Sequence, residues 1–286
     1  DQFAGADAGA KIAAAIADLP STGGTVDARG FEGAQTITST ITVNKSINLL
    51  WSKATLSGTA NPFFNSTQAF SIEGVENTES IFRQDTLTAS IITHATQAPL
   101  TITHMRLRHN AAATAGSTVS ITWGGSGTHN SYSRIEDCWI ENAWIGLDLG
   151  VVSTINIKNN QLTNIQSRGV RINNTDNGDA ETGSISGNWF ASDNALVGNY
   201  AVEHNSGGGV QFKDNHVFPH DIGYYLNWTS VAATNSSSGL LIEENYFDAM
   251  KTAGFQADRT AGTGTFESLI FTGNQFQASA TRQGDA

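Results

Sequence analysis

Apolar and polar residues alternate with period two over most of this chain. The alternation is plain at 36–38 (Thr-Ile-Thr) and at 41–43 (Ile-Thr-Val), and it recurs along the chain without turning helical. A segment of this kind can bury one face and leave the other polar, which is typical of short β-strands. The pattern therefore predicts a chain built mainly of short strands.

One segment near the N-terminus has a helical pattern instead. Residues 7–19 (DAGAKIAAAIADL) are rich in Ala, the best helix former, and an i, i+4, i+7 apolar stripe begins at Ile12. Asp7 is placed to cap the first turn, and Pro20 ends the segment. We expect a single short helix here.

A repeat of the form apolar-x-apolar-x-x-Asn-x-apolar runs through the rest of the chain. We call the Asn position of each copy its anchor, and successive anchors are 22 to 33 residues apart. The residues at this position are Val75, Met105, Cys138, Asn160, Asn188, Asn215, Asn245 and Asn274. Two short strands and a bend cannot bury their own apolar face, so such units must stack. Asn suits the bend because it tolerates left-handed backbone and because stacked amides bond to one another.

The repeat therefore predicts an all-β fold, a single parallel β-helix of about nine or ten coils with an N-terminal capping helix. Because no stretch has the composition of a linker, we expect one domain over 1–286, with 1–31 as the cap helix and first strand and 32–286 as the coils. The five Asn from Asn160 onward should form a ladder. The residues expected in one buried stack are Ile157, Phe212, Ile242 and Phe271.

Composition narrows the classes of function. The 26 acidic and 15 basic residues give a net charge of −11, which disfavours nucleic acid or an anionic membrane as a partner. An apolar share of 39% beside a charged share of 14% excludes disorder through high charge. Cys138 is the one Cys, which rules out a disulfide framework and a thiolate zinc cluster. No apolar run reaches the roughly 18 residues of a membrane span, so no membrane insertion is expected.

The Ala-rich helix, the segment 21–31 (STGGTVDARGF) and the Asn repeat together resemble the pectate-lyase-like right-handed parallel β-helix superfamily. That superfamily holds polysaccharide lyases, hydrolases and phage tailspike-like depolymerases, and the resemblance covers nearly the whole chain. It implies that the helix caps the solenoid, that the partner is an acidic or neutral polysaccharide or oligosaccharide, that the protein works outside the cell or on a virion surface, and that a homotrimer is the assembly to test for. These motifs report fold and not chemistry.

A candidate site follows from a second recurring element. Gly146, Gly169, Gly223 and Gly254 follow the anchors by eight or nine residues, and Asn199 stands in the equivalent place. Each should begin a strand whose inward residues are Leu147, Leu149, Val170, Ile172, Tyr200, Val202, Tyr224, Leu226, Phe255 and Ala257. The outward residues then form two columns, Asp148, Arg171, Ala201, Tyr225, Gln256 and Asn173, Glu203, Asn227, Asp258.

These columns carry the groups of a sugar groove: carboxylates, an Arg, amides and an aromatic ring. We predict Asp148, Glu203 and Asp258 as catalytic, because residues two coils apart have backbones about 10 Å apart and their side chains can reach the ~6.5–9.5 Å of an inverting pair. The predicted substrate-binding residues are Arg171, Asn173, Tyr225, Asn227 and Gln256. The leading interpretation is an extracellular polysaccharide-degrading enzyme, with hydrolysis ahead of elimination.

Several alternatives stay open. No cofactor is expected for a hydrolase, and Ca²⁺ is the candidate cofactor for a lyase. A calcium-dependent lyase would need converging carboxylates with an Arg or Lys, and the local set of that kind is Asp176, Asp179 and Glu181 with Arg168 or Arg171. Residues 174–179 resemble one polygalacturonase element, and the turn at 218–221 (Phe-Pro-His-Asp) resembles an epimerase element but favours a structural role. The cluster at 104–109, with its outward His and Arg residues, suits a uronate or sulfate. The alternative function is a glycan-binding or structural β-helix module without catalysis.

Overall fold

The structure is a computed structural model that describes residues 2–96, 98–113, 119–123, 132–150, 154–173, 182–192, 198–205, 209–227, 239–258 and 268–277. In these ranges the chain forms one helix and 29 strands. Every strand pairing is parallel, and each strand pairs with the strands three before and three after it in the chain. The parallel β-solenoid with a short N-terminal helix is thereby confirmed.

The helix and strands run in chain order as follows: α1 (Ala8–Asp18), β1 (Gly24–Ala28), β2 (Gly33–Ile37), β3 (Ile41–Val43), β4 (Ile47–Trp51), β5 (Ala54–Gly58), β6 (Phe64–Ser66), β7 (Phe70–Glu73), β8 (Ile81–Gln84), β9 (Ile92–His94), β10 (Leu100–Thr103), β11 (Arg106–His109), β12 (Val119–Trp123), β13 (Ser133–Glu136), β14 (Trp139–Glu141), β15 (Ile145–Leu149), β16 (Thr154–Lys158), β17 (Gln161–Thr163), β18 (Arg168–Ile172), β19 (Thr182–Ser186), β20 (Trp189–Ala191), β21 (Tyr200–His204), β22 (Gly209–Lys213), β23 (His216–Val217), β24 (Ile222–Asn227), β25 (Leu240–Glu243), β26 (Tyr246–Asp248), β27 (Ala253–Asp258), β28 (Leu269–Thr272) and β29 (Gln275–Gln277).

The strands belong in rotation to three sheets that we call A, B and C. Sheet A holds β1, β4 and every third strand to β28, sheet B holds β2 to β29, and sheet C holds β3 to β27. In the described ranges the sheets contain ten, ten and nine strands. Their inner faces enclose one continuous apolar core, because alternate residues of each strand point inward.

The helix forms where the pattern predicts it. Asp7 caps α1 by accepting a hydrogen bond from the Ala10 amide at 2.7 Å, and its other carboxylate oxygen accepts the Thr38 amide at 2.9 Å. Ile12 and Ile16 are each 2% exposed. The helix contacts the first strand of each of the three sheets, so it covers the N-terminal end of the core.

The asparagine ladder is confirmed at the bend between sheets A and B. Asn160, Asn188, Asn215 and Asn245 each donate from Nδ2 to Oδ1 of the next Asn, with distances of 3.0, 3.0, 3.0 and 2.9 Å, and Asn274 accepts the last bond. The residue before each ladder position has a positive φ, as at Asn159 (55°) and Gly187 (66°). This turn points each amide into the stack.

One predicted anchor is wrong. Val75 is 49% exposed. The ladder position of its coil belongs to Ser80, whose carbonyl accepts the Arg106 amide at 2.8 Å. Each later anchor carbonyl accepts in the same way from the residue that follows the next anchor. The turn between β7 and β8 is longer than the other turns that lead from sheet A to sheet B. This insertion moves the anchor by five residues.

The predicted stack is confirmed for three of its four members. Ile157, Phe212 and Ile242 are fully buried. Phe271 is 42% exposed, which corrects that prediction. It lies in β28, which pairs only with β25 among the described strands, so the described residues bury it from one side.

Candidate functional site

The candidate site lies on the outer face of sheet C. Strands β15, β18, β21, β24 and β27 bring Asp148, Arg171, Glu203, Tyr225 and Gln256 into one register column. Neighbouring members lie on adjacent strands about 4.8 Å apart. These five side chains therefore form a continuous line along the solenoid axis.

The column corrects two sequence-based assignments. Ala201 was expected to face outward, but it is fully buried and lies level with Gly169 and Gly223. Tyr200 was expected in the core, but it is only half-buried and its ring contacts outward side chains. The cause is a slip of two residues, since Ala201 and not Asn199 takes the place of the recurring Gly. Phe255 and Ala257, in the last described strand of sheet C, are also more exposed than expected.

The second column changes for the same reason. Ile172 pairs with His204, so the residues that follow them, Asn173 and Asn205, are level with each other. Asn227 pairs with Asp258 and donates from Nδ2 to Asn205 Oδ1 at 2.9 Å. Asn205 thus takes the place predicted for Glu203, and the second column is an amide row that ends in a carboxylate.

Asp148 and Arg171 form a bidentate ion pair. Arg171 donates from Nε and Nη2 to the two Asp148 oxygens at 2.7 and 2.6 Å. The hydrogen bond with Asp148 raises the pKa of Arg171. Both carboxylate oxygens of Asp148 are therefore engaged by one guanidinium, which fixes the position of Arg171.

Glu203 is held by Arg168, which the sequence suggested for the calcium-lyase set but not for the two columns. Arg168 Nε donates to Glu203 Oε2 at 2.6 Å, and the Glu203 side chain is 11% exposed. The Arg168 guanidinium lies over the Tyr200 ring, 4.3 Å from its centre. Because Arg168 immediately precedes the recurring Gly169, its place in the repeat was the signal that could have identified it.

Two tyrosines adjoin this pair. The Tyr200 and Tyr225 rings are 4.8 Å apart, and Tyr225 donates its hydroxyl to Asp258 Oδ2 at 2.9 Å. Gln256 Nε2 also donates to this oxygen, at 2.8 Å. Burial and the bond to Asp258 raise the pKa of Tyr225 to about 12, and burial raises the pKa of Tyr200. Both rings are therefore neutral at physiological pH and present a proton donor and a flat surface.

The geometry separates the two predicted carboxylate pairs. Asp148 and Glu203 are two coils apart, and the strand between them carries Arg171, which is bonded to Asp148. Glu203 and Asp258 are also two coils apart, and Tyr225 lies between them. In the first pair Arg171 engages both oxygens of Asp148, whereas in the second pair Tyr225 and Gln256 both donate to the same oxygen of Asp258.

The other predicted clusters contribute less. The segment 174–181, with the calcium-lyase set and the polygalacturonase-like element, lies outside the described residues. In the part of the chain that the structure describes, no three His, Cys, Asp or Glu side chains are grouped as metal ligands. Burial lowers the pKa of His220 to about 4, and Asp221 accepts the Gly198 amide at 2.7 Å. These contacts fit a structural turn.

The cluster at 104–109 is only partly outward. His109 is fully buried and bonds the Ala89 carbonyl at 3.0 Å, which corrects its predicted orientation. Arg106 and Arg108 are outward, and both pair with Glu141, at 2.9 and 3.0 Å. These two arginines belong to sheet B and are separate from the sheet C columns.

Comparison with known proteins agrees with this architecture. A family model described as a right-handed β-helix region matches residues 121–285, more than half of the chain, and the chain belongs to this family of right-handed β-helix proteins. Such domains occur in polysaccharide-processing enzymes and in other proteins. Searches of curated proteins and of solved structures find no match. The one described helix is too short to cross a membrane.

Proposed function

We propose that the protein binds a polysaccharide or oligosaccharide along the outer face of sheet C. The observation that carries the proposal is the Tyr200–Tyr225 ring pair, with Arg168 and Glu203 on one side and Asp258 on the other. Sugar sites combine an aromatic surface for the ring with a few fixed polar groups for the hydroxyls. A polysaccharide partner also fits action outside the cell or on a virion surface.

The polar groups of this face are fixed before any ligand arrives. Arg168 and Arg171 are each held by a carboxylate, and Tyr225 is held by Asp258. Side chains that are already ordered lose little conformational freedom when they bind. The strand columns run along the solenoid axis, so an extended glycan is expected to lie across several coils.

Substitution of Tyr225 tests the binding proposal. A panel of glycans first identifies those that the wild-type protein binds, which we call the retained glycans. Tyr225→Ala should weaken binding to them by about two- to tenfold, because a stacked ring is lost. Its melting temperature should stay near that of the wild type. Tyr225→Phe is the matched control, since it keeps the ring and removes only the hydroxyl. Equal affinity of the wild type and Tyr225→Ala for every retained glycan would exclude this face.

Depolymerisation is the second candidate function, favoured by the carboxylates of Glu203 and Asp258 on either side of Tyr225. Glu203→Gln and Asp258→Asn should each lower turnover by about 100-fold or more with little change in affinity, because acid–base groups act in the transition state. Reducing ends report hydrolysis, and absorbance of unsaturated uronate reports elimination. Wild-type turnover in Glu203→Gln would remove Glu203 from the mechanism, and binding without any product would leave the binding function alone.

A further inference from the structure

The outer face of sheet B carries a column of side chains that is separate from the two columns of sheet C. Its members occupy the position directly after each ladder residue, and successive members pair in register. In order along the axis they are Arg106, Trp139, Gln161, Trp189, His216, Tyr246 and Gln275. We call the rings of Trp139, Trp189, His216, Phe218 and Tyr246 the aromatic strip.

Four rings of the aromatic strip contact one another outside the core, those of Trp189, His216, Phe218 and Tyr246. Trp189 is 43% exposed, and its ring lies 4.7 Å from His216 and 4.6 Å from Phe218. His216 in turn lies 4.6 Å from Tyr246. Gln161 is exposed between the two tryptophans, and Gln275 is exposed beyond Tyr246. Partly exposed rings flanked by amides fit a sugar chain better than they fit an apolar protein surface.

The outer face of sheet B is basic around Arg106, at the end of the column nearest the N-terminus. Arg83 and Arg108 face each other directly in register on neighbouring strands, and Arg106 lies over the Trp139 ring at 3.8 Å. Asp85 pairs with Arg83, and Glu141 pairs with Arg106 and Arg108, so three cations meet two anions in a chain whose net charge is −11. Like charges opposite each other destabilise a sheet. A bound anion would relieve this repulsion.

We propose that this face of sheet B is a second glycan-binding surface, specific for an acidic polysaccharide. A carboxylate or sulfate group binds at Arg83 and Arg108, where guanidinium groups offer paired donors, and pyranose rings stack on Trp189. Three coils, about 14 Å, separate Arg108 from Trp189, so the ligand is a chain of several sugars along the axis. The proposal does not depend on the sheet C face.

Affinity electrophoresis tests it in the Tyr225→Ala background, where the sheet C face is impaired. The gels contain polygalacturonate, alginate or chondroitin sulfate, with carboxyl-reduced polygalacturonate as a neutral match. We expect retardation by at least one acidic polymer and a loss of about two- to tenfold in affinity for Trp189→Ala. Arg108→Gln should weaken binding of the acidic polymer and reduce its salt dependence, with no effect on the reduced polymer. Tyr132→Ala, a 77% exposed aromatic residue outside the strip, should change nothing.

Three outcomes would overturn the proposal. The first is that no acidic polymer retards the protein. The second is equal retardation with and without Trp189. The third is that the protein does not bind any glycan and that Trp189→Ala has a lower sedimentation coefficient than the wild type. That result would make the strip a contact between copies of the chain. If Trp189→Ala does not fold, Gln161→Ala and Arg108→Gln give the same readout from exposed or partly exposed positions.

Discussion

Removal of the Asn215 amide tests the ladder at its centre. Asn215 Nδ2 donates to Asn245 Oδ1 and to the Ile185 carbonyl, at 3.0 and 2.8 Å. Its Oδ1 accepts from the backbone amide and from Nδ2 of Asn188, both at 3.0 Å. Asn215→Ala deletes all four hydrogen bonds. They are shielded from water, because Asn215 is only 2% exposed.

The size of the stability loss follows from which buried groups lose their hydrogen-bond partners. Asn188 Nδ2 keeps its bonds to the Ile157 and Ser186 carbonyls, so its loss is partial. The Asn188 backbone amide and the Ile185 carbonyl lose a buried partner, and an unsatisfied buried group costs about 1–3 kcal/mol. Since amides are less tolerant of this than carbonyls, we expect a loss of about 2–4 kcal/mol in the free energy of unfolding.

Urea unfolding followed by circular dichroism measures this loss, and Asn156→Ala is the matched control. Asn156 is exposed on the outer face of sheet A, so its replacement should change stability by less than about 0.5 kcal/mol. Amide hydrogen exchange should show faster exchange at Asn188 in Asn215→Ala. If the two Ala variants unfold at the same urea concentration, the ladder does not contribute to stability as argued.

Two further predictions concern the coil contacts and the pH dependence of stability. Gly169→Ala should destabilise by about 1–3 kcal/mol, because a Cβ there would lie 2.5 Å from the Ala201 carbonyl oxygen and 2.8 Å from the Phe190 ring; a melting temperature equal to the wild type would contradict this packing. Burial lowers the pKa of His220 from 6.5 to about 4, so the unfolded chain binds a proton that the folded chain does not, and stability should rise by roughly 3 kcal/mol as the pH increases from about 4 to 6.5. His220→Gln should remove this part of the pH dependence, and an identical slope in both proteins would refute it.

The solenoid could be predicted from the sequence because its repeat specifies the residue type at the bend as well as the spacing between bends. Asn160 and its equivalents lie at the same place in every later coil, so one residue type marks the bend repeatedly. The anchor at Val75 failed where a longer turn breaks this spacing. A pattern of spacings cannot detect such an insertion without the hydrogen bonds between coils.

The register of the candidate site was harder to predict for a different reason. A slip of two residues in β21 leaves Val202 inward and Glu203 outward, so the apolar–polar alternation at these two positions fits both registers. The burial of Ala201 and the pairing of Glu203 with Arg171 and Tyr225 distinguish them. Most of the aromatic strip was visible in the sequence, since all its members except Phe218 directly follow an anchor. They occupy a position of the repeat where the residue type varies.

The asparagine ladder also has a direction. Each coil supplies two donors, a backbone amide and Nδ2, to a single Oδ1 of the coil that follows it, as from Asn160 to Asn188 and from Asn188 to Asn215. A coil added on the C-terminal side therefore pairs two N–H groups of the coil before it, the backbone amide and Nδ2. A coil added on the N-terminal side pairs one, because its Ile carbonyl accepts the second Nδ2 hydrogen of the coil that follows. Unpaired N–H groups are less tolerated than unpaired carbonyl groups. Addition of a coil should thus stabilise this part of the solenoid more at its C-terminal end than at its N-terminal end, and removal of a coil from the C-terminal end should leave more N–H groups unpaired.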